Sequence, residues 1–116
     1  HLHLLQRYLT DSDHLGVEIM AKFMNVVRTT VKADCHDEFL EHHSKLSKYD
    51  GLLSQFLIQT SDYSYCFVAI WESESDLIKA RPLMIESLNA IRHMMEEISP
   101  VLGVTDPVSG PVIFEQ

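Results

Sequence analysis

The chain is poor in several residue types, and each scarcity excludes something. Among 116 residues there are two cysteines, four glycines and four prolines. Two cysteines, Cys35 and Cys66, cannot make the framework of a small disulfide-stapled domain, so both are read as free thiols. So little glycine and proline excludes a collagen-like or low-complexity chain, while 46% hydrophobic residues supply one packed core. Positive charge is also sparse: nine Lys and Arg stand against seventeen Asp and Glu, a net charge of −8. Phosphate backbones and anionic lipid surfaces are held by clustered Lys and Arg, so neither a nucleic-acid nor a membrane partner is expected. No apolar run approaches the roughly 20 residues that span a bilayer, and no basic-then-apolar leader is visible. The expectation is a soluble, cytoplasmic protein. Gly-rich phosphate loops, nucleophile elbows and paired-carboxylate motifs are missing as well, which leaves nucleotide-dependent chemistry without support.

The residues present form a patterned domain behind a short arm. Leu2, Leu5, Tyr8 and Leu9 recur at helical spacing before the turn-prone Thr10 to Asp13, and Met20 could itself open a chain. Residues 1–19 are therefore read as an N-terminal helical arm or extension and residues 20–116 as the folded domain. Lys22 to Lys32 alternates as a strand, with Phe23, Asn25, Val27 and Thr29 on one face and Met24, Val26, Arg28 and Thr30 on the other. Asp34 is the expected N-cap of helix one, which carries the stripe Phe39, Leu40, His43 and Leu46 and runs to about Tyr49, where Asp50-Gly51 stops it. Leu52 to Thr60 and Tyr63 to Trp71 are strands two and three. Ser73 and Asp76 cap helix two, whose inner side is Leu77, Met84, Leu88, Ile91, Met95 and Ile98. Pro82 predicts a break near Arg81, Pro100 ends the helical region, and an edge strand is expected near Val112 to Phe114.

This β-α-β-β-α-β order predicts an α+β, ferredoxin-like fold: a four-stranded antiparallel sheet with two helices on one face. The other face, with Met24, Val26, Cys66, Val68 and Ile70, is apolar, which predicts a homodimer in which two sheets pack together. Arg28 and Lys32 are expected to pair with acidic residues of the second subunit.

Three stretches carry a resemblance to a known family: the strand end Trp71-Glu72-Ser73-Glu74, the turn Tyr49-Asp50-Gly51-Leu52-Leu53 and the Asp34-to-Phe39 approach to helix one. Together they resemble the antibiotic biosynthesis monooxygenase superfamily of dimeric α+β barrels, over about Lys22 to Phe114. The resemblance implies that fold, a homodimer and, by analogy with the superfamily's cofactor-independent oxygenases, chemistry without a cofactor. Haem-degrading members pair such a Trp with an Asn on strand one and a His on helix two. Here Val27 and the Arg81-Pro82 step stand at those two places, so haem degradation is not expected, although Asn25 lies two residues earlier on the same strand face.

Trp71, Tyr65, Phe67 and Ala69 share a strand face, and covered by helices they would line a slot for a flat aromatic molecule. His43 lies on the same helical stripe as Phe39 and is the candidate base. The expected catalytic set is His43, Trp71 and Asn25, with Tyr65, Phe67, Val27 and Phe39 binding substrate. An ordinary aromatic core and a satisfied core histidine are the plain alternatives. His36, Asp37, Glu38, Glu41, His42 and His43 lack a His pair at i and i+4 and are read as a charged surface face, with no metal site. His42 and His93 are expected in solvent. The sequence thus reads as a small cofactor-independent monooxygenase acting on a hydrophobic aromatic or polyketide-like substrate. Two rivals stay open: a non-catalytic ligand-binding or stress-response protein of the same fold, and an interaction domain that docks through its arm.

Overall fold

The computed structural model describes residues 21–45 and 47–116; the expected N-terminal arm and Leu46 lie outside the described residues. Four strands, β1 (Phe23–Thr30), β2 (Leu52–Gln59), β3 (Ser64–Trp71) and β4 (Asp106–Pro111), form one antiparallel sheet in the order β2-β3-β1-β4. Two helices, α1 (His36–His43) and α2 (Glu74–Ile91), cover one face of it. This is the ferredoxin-like arrangement expected from the element order.

The register follows from the alternation of side chains along each strand. Phe23, Asn25, Val27 and Thr29 of β1 stand opposite Trp71, Ala69, Phe67 and Tyr65 of β3, all on the helix-covered side. A bulge between Leu52 and Ser54 lets β2 present Leu52, Gln55, Leu57 and Gln59 to the same side. The covered core falls into two clusters. One holds Val31, Phe39, Tyr65, Ile91, Met94 and Met95; the other holds Phe23, Ala69, Trp71, Leu77 and Ala80. The opposite side of the sheet carries Met24, Val26, Val68 and Ile70, only half buried, beside exposed Phe56, Ile58 and Val108.

Several expected boundaries move. The chain reaches α1 through a 3₁₀ turn at Ala33–Cys35, and neither Lys32 nor Cys35 at the cap positions makes a side-chain cap bond, so Asp34 is not the N-cap. Asp34, Asp37 and Glu38 still place carboxylates where the first-turn amides are unpaired. Helix α1 stops at His43 rather than Tyr49: the Ser44 hydroxyl donates to the Glu41 carbonyl at 2.7 Å, competing with further turns. Gly51 takes φ +81, as expected of it, but in the turn into β2.

The cap of α2 is as expected, with the Ser73 hydroxyl oxygen accepting from the Asp76 amide. No break occurs at Pro82, because the ring lies on the exposed side while Leu77, Ala80 and Ile91 hold the helix down before and after it. Helix α2 ends at Ile91 and gives way to a 3₁₀ turn at Arg92–Met94, short of the expected end at Pro100. Met95 is buried all the same, through a bridge from its backbone to Val31. The last strand is Asp106–Pro111 rather than Val112 to Phe114; it is an edge, where prolines at 107 and 111 forfeit little pairing. Arg28 pairs across β1 and β4 with Asp106 of its own chain at 3.5 Å, and Lys32 lies beyond the strand. Both cysteines are free thiols, and no helix among the described residues is long and apolar enough to cross a membrane.

Candidate functional site

Between the two core clusters the helices stand off the sheet and leave a cavity of about 580 Å³, within the usual range of roughly 300–1,000 Å³ for small-molecule sites. Its floor is Asn25, Val27, Leu57, Phe67, Ala69 and Trp71 of the sheet. Its walls are Phe39 and His43 of α1 and Leu77, Arg81, Met84 and Leu88 of α2. Apolar atoms dominate the lining, and two of its polar groups are fixed in orientation by hydrogen bonds.

The first fixed group is Asn25, only 6% exposed, which sits opposite Ala69 in the central strand pair. Trp71 Nε1–H donates to Asn25 Oδ1 at 2.7 Å. An indole nitrogen can only donate, so the amide oxygen must face Trp71 and the two Nδ2–H groups must point elsewhere. Among the described residues Nδ2 has no hydrogen-bond partner. A buried donor left unpaired costs about 1–3 kcal/mol, a cost that an acceptor oxygen bound in the cavity removes.

His43 is the second. As the last residue of α1, its Nδ1 lies 2.9 Å from the Phe39 carbonyl oxygen. A carbonyl only accepts, so Nδ1 carries the hydrogen and Nε2 keeps its lone pair. The ring leans on Phe39 at 4.2 Å between centroids and lies 5.9 Å from Phe67. Burial against these rings holds the imidazole pKa below its ordinary value. The Phe39 carbonyl opposes that lowering and His42 adds to it. His43 is therefore a neutral base at pH 7.

The other expected residues divide. Val27, Phe39 and Phe67 line the cavity with His43, Trp71 and Asn25. Tyr65 does not line it: it is packed in the core cluster at the other end of β3, where its hydroxyl is hydrogen-bonded to His36 Nε2 and its ring meets Phe39. His42 is exposed, as expected, at the cavity rim, 5.1 Å edge-on to His43. His93 is exposed, 3.8 Å from Glu38. Among the described residues no three of His, Cys, Asp and Glu converge as metal ligands. The amide facing Trp71 belongs to Asn25, while Val27 pairs with Phe67.

Sequence reasoning missed Arg81, Gln55, Lys45 and Tyr49. For Arg81 a signal exists: Leu77, Arg81, Met84, Leu88 and Ile91 are spaced 4, 3, 4 and 3 apart, so a guanidinium occupies one place in an otherwise apolar inner stripe. Gln55 follows from the β2 bulge, which the sequence does not announce; its Nε2 donates to the Ser47 carbonyl at 2.9 Å and ties the α1–β2 loop over the cavity.

No protein-family profile and no curated protein matches the sequence. Solved structures do match. A protein from Chloroflexus aurantiacus with the provisional name antibiotic biosynthesis monooxygenase is 12% identical, with 83% of this chain and 97% of that one covered at a TM-score of 0.62. SnoaB, a cofactor-independent oxygenase from Streptomyces nogalater solved as a variant, is 17% identical over 82% of this chain and 96% of its own, with a TM-score of 0.60. A dimeric ferredoxin-like protein from an uncultured marine organism is 11% identical over 88% and 96%, with a TM-score of 0.63. At these identities the likeness shows the fold alone: the chain shares the ferredoxin-like fold of these structures.

Proposed function

We propose that this chain is a cofactor-independent monooxygenase for a hydrophobic, electron-rich aromatic or polyketide-like molecule held between sheet and helices. The observation that carries the reading is the pairing, in one largely apolar cavity, of a buried Asn25 amide and a neutral His43 imidazole whose Nδ2 and Nε2 have no partner among the described residues. The likeness in fold to a cofactor-independent oxygenase adds support.

A carbonyl or phenolic oxygen of the substrate accepts from Asn25 Nδ2, and His43 Nε2 takes a proton from the acidic CH₂ beside the ring. Negative charge then gathers on the substrate oxygen, where the preoriented amide stabilises it. The carbanion passes one electron to dioxygen, and the radical pair joins as a carbon-bound peroxide, which is protonated. Loss of the second hydrogen from that carbon, with O–O cleavage, leaves a carbonyl and releases water. The carbon gives up four electrons and dioxygen takes four, one oxygen ending in product and one in water. Trp71 holds Asn25 and supplies a flat wall; Tyr65 has no part.

The test is oxygen uptake with a dihydroxyanthrone, using labelled dioxygen and the full chain. The expected result is one dioxygen consumed and one labelled oxygen in the quinone per substrate, dependent on His43. Quenching of Trp71 fluorescence by the substrate without protein-dependent uptake would overturn the oxygenase reading in favour of a non-catalytic binding protein. No quenching and no uptake would remove the cavity from function altogether.

The same reading includes a homodimer through the open sheet face. It is supported by the apolar side chains of Val26, Val68, Phe56 and Ile58 there, since such faces mark interfaces, and by the dimeric neighbour. Phe56 is 53% exposed in the protomer, so its replacement spares the fold. Phe56→Asp should shift the sedimentation mass from two protomers to one with unchanged far-ultraviolet dichroism; a wild-type protein that sediments as one protomer rules the dimer out.

A further inference from the structure

The chain carries seventeen acidic residues and a net charge of −8, yet no Asp or Glu among the described residues lines the cavity. Its charged lining residues are Lys45 and Arg81, with His42 and His43 beside them. Lys45 is engaged, 3.5 Å from Glu41. Arg81 has no ion-pair or hydrogen-bond partner among the described residues, and the helix offers it none: its neighbours at i±3 and i±4 are Leu77, Ile78, Met84 and Ile85. A guanidinium on the sheet-facing stripe of α2, kept clear of carboxylates in an acidic protein, is placed to meet an anion from outside.

We infer that the cavity's ligand carries an anionic substituent, a carboxylate on its aromatic skeleton, which Arg81 holds at the mouth while the uncharged rings lie against Trp71 and Phe67. The inference rests on the reading of the cavity as the ligand site and adds the class of molecule it selects. A planar guanidinium pairs with a carboxylate through two parallel N–H bonds, which fixes the direction in which the ring system enters. The acid-free lining also spares the incoming anion the repulsion that the rest of the surface exerts.

Trp71 is the only tryptophan, so its fluorescence reports occupancy. The probes are anthraquinone-2-carboxylate and the isosteric, neutral anthraquinone-2-carboxamide, titrated into the full chain. Wild type should bind the acid about tenfold more tightly than the amide at low salt, the preference shrinking as salt is added, because the pair is partly exposed. Arg81→Gln should abolish the preference and leave the amide affinity within about twofold; Arg81→Lys should keep part of it, as a point charge without the fork. Equal binding of acid and amide by wild type overturns the inference while the ligand site stands. Survival of the preference in Arg81→Gln also overturns it. Failure of both probes to quench Trp71 defeats the ligand site and the inference together.

Discussion

Gly51→Ala is expected to lower the unfolding free energy by about 3 kcal/mol, and two separate costs make up that sum. The first is conformational: Gly51 has φ +81, where an L-residue loses roughly 1–2 kcal/mol. The second is steric, because a Cβ on Gly51 would lie 2.2 Å from Asp76 Cγ and 2.5 Å from Asp76 Cβ. Asp76 cannot simply swing aside. Its amide is capped by Ser73, its Oδ2 accepts the Ser73 hydroxyl at 2.9 Å, and the Gly51 carbonyl accepts from the Glu72 amide at 2.8 Å. Moving it loosens the cap of α2, worth about 1 kcal/mol. Gly103 supplies the control: its φ is +74 but no atom lies within 4 Å of where a methyl group would stand, so Gly103→Ala should show the conformational cost alone. In urea unfolding, Gly51→Ala should lower the midpoint well beyond Gly103→Ala at an unchanged slope. In an Asp76→Gly background, which removes the Asp76 Cβ together with its carboxylate, the two should converge. Equal losses in the original background would show that the Gly51–Asp76 contact is not what matters.

The same turn shows what was legible in the sequence. Strand alternation in β1 and β3 was readable because one face of each is buried against helices, and the antiparallel register then brings Asn25 and Trp71 together without further information. The end of α2 departs from the sequence expectation for one physical reason: apolar periodicity reports burial, and burial does not require a helix. Met95 is buried from an extended segment bridged to Val31. Strand β4 carries two prolines and a glycine, which erase a strand signal, and it exists because the edge of β1 offers one row of bonds to fill. Tyr65 shares the strand face of Phe67 and Trp71, but His36 lies over its end of the sheet and takes its hydroxyl; distance along the strand, which alternation cannot report, separates it from the cavity. Arg81 is legible as a charge in an apolar stripe, but Pro82 beside it predicts a helix break that would divide that stripe.

His43→Ala should reduce kcat/KM by 10²–10⁴-fold, the usual contribution of a positioned general base, equivalent to about 3–5 kcal/mol. The helix end sets this up. The Nδ1–H bond to the Phe39 carbonyl fixes the tautomer, and packing against Phe39 and Phe67 disfavours the imidazolium, so Nε2 is available at neutral pH. The sign of the pH effect follows. Because the folded-state value lies below that of free imidazole, about 6.5, kcat/KM should stay level across neutral pH and fall tenfold per unit only below the depressed value. The unfolded chain, by contrast, takes up its proton at the ordinary value. The contribution of His43 to stability is therefore present at neutral pH and is lost as pH falls from the ordinary value through the folded one. His43→Gln can keep a bond to the Phe39 carbonyl without a basic nitrogen. It should be as slow as His43→Ala and lose the acid limb, while anthraquinone-2-carboxamide still quenches Trp71 as in wild type. Turnover by His43→Gln within threefold of wild type, or an acid limb that persists in it, would move the proton transfer to another group.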